Sequence, residues 1–548
     1  MEISKDPKLA VSRSILEKLQ DAFQLNARAL TLRLLCGVIW AAELFWAQGL
    51  GFKVPPETTN PVLIQSIRFF MDIIAGCGLC LLLPRRVLIP LNILNVWFFA
   101  CVATYAQHFP RPLMPITIFG QWREGLDVVA YSGRVLAWGA ILVTTVTMLL
   151  KCFLLIRSGR PVFSQMVKRI VLGFFIGAYL FFVILLQFSS FDFFRVNAQA
   201  PRCVYAYGYT LPWLFEISVF GRSTQLAPEV YKLFEEKYDS ITPVEDPIQI
   251  KNHLVIVQLE TVGTAAISAK YRDTLVMPFL HGLKNQSMFF RIRSFHNNGS
   301  CDMDFAATTF TRPYPSYNPY RIKGIKYTNS MPGFAKKHGM STHFFHGNTG
   351  KFFDRQEVID RLEFDGIYFK EQLLPLNLQS SFLGARDAEM FRVVLSVLRE
   401  TERAYAFLIT LDTHTPYTYI SATEQEIFTN PQNEVERYFN SLRYLDNCLT
   451  SFVKDLPEGT TLVIYGDHTA YMKTEMFSSD VVGRDEFVGC LIYQKGTDLS
   501  KTQKTRQMAI ATSGELNLLD VLSFLRASIA ASSPEVAKDS TAHSEASP

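Results

Sequence analysis

Five long apolar runs occupy the first third of the chain, at residues 29–51, 67–84, 87–109, 128–156 and 169–189. Each can carry a helix across roughly 30 Å of hydrocarbon, the second being the shortest. After residue 250 the pattern changes. Short apolar runs ("HLVIVQL", "STHFFHG", "AYAFLITL", "TLVIYG") alternate with longer stretches whose apolar positions recur at helical spacing, such as "RDAEMFRVVLSVLRE" and "EVERYFNSLRYLDNCLTSFVKDL". Near-continuous apolar strands between amphipathic helices predict a mostly parallel sheet covered by helices on both faces. The expected fold class is a five-span α-helical membrane domain plus an α/β domain. The boundaries follow: an N-terminal tail at 1–28, the membrane domain at 29–189, an aromatic-rich interfacial linker at 190–249, the α/β domain at 250–528, and a polar, disordered tail at 529–548. Packing is an equal alternative for the linker aromatics.

Composition agrees with a chain in two parts. The 548 residues are 49% hydrophobic and 13% aromatic, rich for a soluble enzyme and lean for a protein lying wholly in lipid. The formal charge is only +4, so nothing global points to nucleic acid. Charge does orient the spans. Lys5, Lys8, Arg13, Lys18 and Arg28 precede the first; Arg85 and Arg86 separate the second from the third; Arg157, Arg160, Lys168 and Arg169 separate the fourth from the fifth. The alternate loops hold only Lys53, and Arg111 with Arg123. The positive-inside rule then puts the N-terminus in the cytoplasm and everything after residue 190 outside. The charged segment before the first run predicts a retained span rather than a cleaved signal peptide. Glu43, Asp72 and Arg134 fall inside spans, where they form either an interhelical ion pair or a polar path or headgroup dock. Nine cysteines show no metal-binding spacing, and Cys77 and Cys80 sit in an apolar run as packing residues.

In parallel sheets, ligands collect at the carboxyl ends of the strands. Candidate chemistry lies there. "HLVIVQLE" ends in Glu260, "TLVIYGDH" in Asp467 and His468, "THFFHGN" near His346, and "FLITLDTHTPY" near Asp412 and His414. The stretch "HNNGSCDMDF" follows another strand-like run and reads as a helix start, with Ser300 near the N-cap and Asp302 and Asp304 in the first turn. Two carboxylates and one imidazole from Glu260, Asp467 and His468, completed by a hydroxyl from that stretch, make four ligands for Mn²⁺, Mg²⁺ or Zn²⁺. A cation there would activate the hydroxyl as a nucleophile. By residue type alone the attacking atom is on Ser300 or Cys301. Further along, "FHGNTGKFFDR" offers His346, Lys351 and Arg355 to an anionic substrate, and His414 is a candidate acid/base or phosphate donor. The Asn298-Gly299-Ser300 triplet also fits a glycosylation acceptor, although a sugar there would crowd the site.

With "VIVQLET", "NGSCDMDF", "FFHGNTGKFFDR", "LITLDTHTPY" and "VIYGDH" in this order, the chain resembles the lipoteichoic acid synthase-like phosphoglycerol transferases of the sulfatase/alkaline phosphatase superfamily. The resemblance spans both halves and implies a multi-pass protein of a bacterial cytoplasmic (inner) membrane with its catalytic domain outside. It implies one divalent ion, Mn²⁺ being typical, on Glu260, Ser300, Asp467 and His468. It further implies glycerophosphate contacts from His346, Phe353, Arg355 and His414. The family's nucleophile is a threonine, and register lays it on Ser300, leaving Cys301 without a role. Phe353 stands nearest the family's tryptophan, and Asp304 replaces a glutamate. The implied reaction moves glycerophosphate from phosphatidylglycerol to a glycan or polyglycerophosphate acceptor through a covalent seryl intermediate.

Three rivals remain beside this reading. A sulfatase would need Pro or Ala two residues after its Cys or Ser and Arg at the fifth position; from Cys301 those places hold Met303 and Phe305, and from Ser300 Asp302 and Asp304. A phosphoethanolamine transferase shares the anchor and the metal logic. A catalytically inactive membrane protein would keep the fold alone, but Glu260, Ser300, Asp467 and His468 are all present.

Overall fold

The computed structural model describes residues 27–49, 61–108, 136–158 and 165–187, a few isolated positions around them, and residues 247–533 except 297–298, 314–317, 323–324, 382, 471–479, 483–484 and 501–515. Arg134, Asn298, Cys203 and the polar tail after residue 533 lie outside the described residues. The chain divides into two compact units, one of residues 1–119 and 132–222 and the other of residues 120–131 and 223–548.

Among the described residues the first unit holds five helices: α1 (Ala27–Gly49), α2 (Pro61–Leu82), α3 (Arg85–His108), α4 (Trp138–Ser158) and α5 (Gln165–Gln187). All five are long and apolar enough to cross a membrane. Large apolar side chains such as Leu142, Phe174 and Phe181 stand exposed on them, which water would penalise and lipid does not. Three expected boundaries shift most. The second span begins six residues earlier than its apolar run, the fourth helix begins at Trp138 rather than at 128, and α5 starts at Gln165, which places Lys168 and Arg169 in its first turns rather than in a loop. α1 and α2 cross closely because both are small at the crossing: a Cβ on Gly37 would come within 2.6 Å of the Cys77 backbone, and one on Gly76 within 2.5 Å of the Gly37 carbonyl. Arg33 of α1 donates to the carbonyls of Cys80 and Leu83, satisfying acceptors at the end of α2.

Glu43 resolves as an interhelical ion pair. Its partner is Lys151 of α4, buried like itself. Thr147 donates to the other carboxylate oxygen, Asn95 of α3 donates at 2.8 Å, and Trp40 closes the set by donating to Asn95 at 3.1 Å. Of the aromatic linker, Tyr209 and Trp213 pack edge-on against Phe98 of α3.

The second unit is a sheet of eight strands among the described residues. Its strands are β1 (Leu254–Leu259), β2 (Met288–Arg293), β3 (Ser341–His346), β4 (Gly366–Tyr368), β5 (Ala404–Ile409), β6 (Thr461–Gly466) and β7 (Asp485–Gln494), in the order β2-β7-β6-β1-β5-β3-β4, with Val481–Val482 paired to the start of β7. β1 pairs in parallel with β5 and β6, and β3 with β4 and β5. β7 runs antiparallel to both its neighbours.

Every residue of β1, β5 and β6 is buried. Alternation divides them between two cores. Leu254, Ile256, Phe407, Ile409 and Val463 join the core beneath α6 (Cys301–Thr309) and α9 (Leu518–Ala531). Val255, Val257, Leu408, Leu462 and Ile464 join the other, beneath α7 (Asp387–Glu400) and α8 (Glu434–Asp455). Burial on both faces is the reason these strands read as unbroken apolar runs. α9 runs three residues into the expected tail because the Ser528 and Ser532 hydroxyls accept the Ile248 and Ile250 amides, tying it to the segment before β1.

Candidate active site

Because β2, β6, β1, β5 and β3 point the same way, their carboxyl ends share one edge of the sheet. Glu260 follows β1, Asp467 and His468 follow β6, and Ser300 opens α6 beyond the end of β2. The Glu260 backbone is clamped by threonines from the neighbouring strand end: its amide donates to Thr410 Oγ1 at 3.0 Å, and Thr413 donates to its carbonyl. Thr261 takes a left-handed backbone (φ 56°) and turns its hydroxyl onto Glu260 Oε1 at 2.9 Å. β6 approaches this turn so closely that a Cβ on Gly466 would overlap the Val262 carbonyl, 1.8 Å away.

Ser300 is the N-cap residue of α6, but its side chain makes no cap bond. Its Oγ instead donates to Glu260 Oε1 at 3.4 Å. Gly299 makes the preceding turn at φ 108°, a conformation that suits glycine. Cys301, the next residue, is fully buried in the core, and burial, helped by Asp302 and Asp304, pushes its thiol well above the ordinary range. It is therefore shielded from the oxidation that an exposed thiol would risk.

One ligand atom from each of Glu260, Asp467 and His468 lies within 4.8 Å of the others. His468 Nε2 is 3.3 Å from Glu260 Oε1 and 3.8 Å from Asp467 Oδ1. Burial opposes charge on all three. The His468 hydrogen bond and the nearby His414 and His468 charges nonetheless hold Glu260 below the carboxylate range, while Asp467 and Glu260 push His468 up to about 10. Burial and the Glu260 charge drive the Asp467 carboxyl well above its usual range. Asp467 and His468 thus retain protons that a cation would displace, whereas Glu260 is already ionised. One atom tests the fit. Asp467 Oδ1 accepts from the Thr261 and His468 amides, both at 2.7 Å, but Oδ2 is buried with no hydrogen-bond partner among the described residues. An orphaned carboxylate oxygen beside a second carboxylate, an imidazole and a hydroxyl is a donor set that a divalent cation completes.

The expected anion-binding residues are distributed unevenly. His346 ends β3 and lies 3.4 Å from Arg355 Nη1; burial and that guanidinium push it well below its ordinary range, leaving a neutral imidazole. Arg355 is buried, and it is not a surface salt bridge. It grips Asp304 through Nε at 2.7 Å and Nη2 at 3.3 Å, and Tyr320 donates to the same carboxylate at 2.8 Å. Phe353 stacks on Arg355 itself, with the guanidinium carbon 5.0 Å from the ring centroid. Phe353 and Asp354 both have left-handed backbones, at φ 60° and 59°, so the turn before Arg355 is strained. His414 is partly exposed, its Nδ1 2.6 Å from the Thr415 carbonyl. Lys351 is exposed. Asp412 leaves the list of candidates: both its oxygens take Arg386, at 2.9 and 3.0 Å, deep in the domain.

Sequence reasoning missed Thr261, Tyr320 and the pair His296–Glu486. The pair lies against His468, whose ring stacks on that of His296 at 4.1 Å. His296 stood in the nucleophile stretch, yet nothing in its spacing announced a partner. Glu486 opens β7, and because that strand is antiparallel, its start rather than its end reaches the site edge.

Residues 252–508 match the sulfatase family. Over 233 residues, 40% of the chain, the sequence is 27% identical to the lipoteichoic acid synthases of Staphylococcus saprophyticus and Staphylococcus aureus, and the match spans 36% of the length of those relatives. The integral membrane protein lipooligosaccharide phosphoethanolamine transferase A of Neisseria meningitidis has a similar fold, with a TM-score of 0.55 at 13% identity, covering 91% of this chain and 95% of that one. The chain is thus similar to lipoteichoic acid synthases over part of its length, with a sulfatase-type α/β domain at residues 252–508 and five helices apolar enough to cross a membrane.

Proposed function

We propose that this sulfatase-type, membrane-anchored chain is a metal-dependent phosphoglycerol transferase, with Ser300 as nucleophile and Glu260, Ser300, Asp467 and His468 as ligands of one divalent ion. The observation that carries the reading is the Ser300 side of the cluster: a hydroxyl spared from helix capping that makes only a long 3.4 Å bond to a carboxylate, beside an Asp467 oxygen with no partner among the described residues. Mn²⁺ suits this mixture of oxygen and nitrogen donors, as do Mg²⁺ and Zn²⁺. When bound, the cation supplies Lewis-acid charge that favours the ionised hydroxyl and offsets the phosphoryl charge.

Ser300 Oγ forms a bond to the phosphorus of phosphatidylglycerol as the bond from phosphorus to the diacylglycerol oxygen breaks, and the serine proton ends on that departing oxygen. The second step reverses the pattern: an acceptor hydroxyl bonds to phosphorus, the seryl bond breaks, and the acceptor proton returns to Ser300. His414, the partly exposed imidazole, carries the proton in both steps. Arg355, locked by Asp304 and faced by Phe353, gives its remaining N–H groups to the glycerophosphate, and neutral His346 adds a hydrogen bond. The acceptor is a glycan or polyglycerophosphate chain outside the cytoplasmic membrane, with the N-terminus inside. Membranes containing the protein, given labelled phosphatidylglycerol, should release labelled diacylglycerol or a labelled glycerophosphate polymer or glycan according to where the label is placed. Products that stay unchanged with Ser300→Ala would rule the mechanism out.

A further inference from the structure

His296 and Glu486 lie beside the candidate site and have no role in the chemistry above. His296 Nδ1 is 3.3 Å from Glu486 Oε1, and the Thr469 amide donates to Glu486 Oε2 at 3.4 Å. The Ser294 amide donates to the Glu486 carbonyl at 2.8 Å, and the Ser294 hydroxyl donates to the Asp467 carbonyl. One carboxylate therefore ties the strand end that leads to Ser300 to the loop that carries His468. The His296 ring lies flat on the His468 ring, centroids 4.1 Å apart and planes 7° from parallel. His468 itself is fixed at both nitrogens, Nδ1 against the Thr469 carbonyl at 2.8 Å and Nε2 toward Glu260.

His296, His468 and Glu486 also have ligand atoms within 4.8 Å of one another, which would suggest a second cation. The stack argues against it. An imidazole binds a metal through a lone pair in its ring plane. Parallel stacked rings aim those lone pairs along parallel planes, which do not converge on one ion.

We infer that His296 and Glu486 are a positioning pair: they hold the His468 imidazole flat and in register with Glu260, and so set the cation affinity of the site without binding the ion. The inference rests on the cation reading proposed above. Partners that orient a ligating histidine are typically worth about 10–100-fold in metal affinity.

The full chain in detergent, stripped of metal, is titrated with Mn²⁺ alone while the paramagnetic resonance signal of free Mn²⁺ is followed. Glu486→Gln keeps the shape of the pair, and His296→Ala removes both the ring and the hydrogen bond. The expected result is one Mn²⁺ per chain in all three proteins, bound about 10–100-fold more weakly in both variants, with the metal-free melting temperature of Glu486→Gln close to wild type. Transfer by Glu486→Gln then recovers at saturating Mn²⁺. Unchanged affinity with a lowered melting temperature would reduce the pair to a structural role and overturn the inference alone. Two ions in the wild type and one in the variants would make the pair ligands, overturning it as well. No Mn²⁺ bound by the wild type would overturn both this inference and the cation reading.

Discussion

Two buried clusters of charge, one in each unit, differ in one respect. In the five-helix unit, Glu43 is answered on both oxygens, by Thr147 on one and by Asn95 and Lys151 on the other, and Asn95 is answered by Trp40. In the sheet unit, Glu260, Asp467 and His468 are equally buried, yet among the described residues Asp467 Oδ2 has no partner and Ser300 Oγ reaches only a long 3.4 Å contact. The first cluster is closed. The second lacks a partner. A satisfied buried network fixes how elements pack, whereas a half-satisfied one is costly unless something else completes it. By that criterion Glu43 and Lys151 are structural, and the sheet-edge cluster is the proposed binding site.

The largest effect should come from the open cluster. Ser300→Ala removes the proposed nucleophile and should lower transfer on the order of 10⁴-fold or more, measured by release of labelled diacylglycerol. The closed cluster should respond in stability instead. Glu43→Ala leaves Lys151 buried without its carboxylate and should cost about 3–5 kcal/mol in the five-helix unit, read as a fall in melting temperature in detergent. Replacing both partners with leucine should recover most of that loss, since a buried pair exchanged for apolar residues is often near neutral. No such exchange should be tolerated at Asp467: Asp467→Asn should weaken Mn²⁺ binding by about 100-fold or more, exceeding the effect of a residue that only orients a ligand, while barely moving Glu43-dependent stability. The smallest effect belongs to Cys301→Ala, a buried neighbour with no assigned chemistry. It should cost about 1 kcal/mol in stability and leave transfer intact. Transfer lost in Cys301→Ala and kept in Ser300→Ala would shift the nucleophile by one residue.

Much of this was legible in sequence, for identifiable reasons. β1, β5 and β6 are buried on both faces, so their apolar runs were unbroken, and the residue after each run fell on the site edge. That alone located Glu260 and Asp467–His468. What escaped depended on pairing between distant segments. Lys151 was hidden inside an apolar span, and only the packing of α4 against α1 makes it the partner of Glu43. Asp304 read as a first-turn acid, but its helix is buried all round and turns the carboxylate to Arg355 and Tyr320. Glu486 was invisible to a rule about strand ends because it begins an antiparallel strand.

The most direct test of the central claim is mass spectrometry of the full chain incubated with phosphatidylglycerol and Mn²⁺, without acceptor, followed by digestion. The account predicts a glycerophosphoryl group on Ser300, absent without a divalent ion and absent in Ser300→Ala. An adduct on Cys301, or efficient transfer with no adduct on Ser300 at any time, would contradict it.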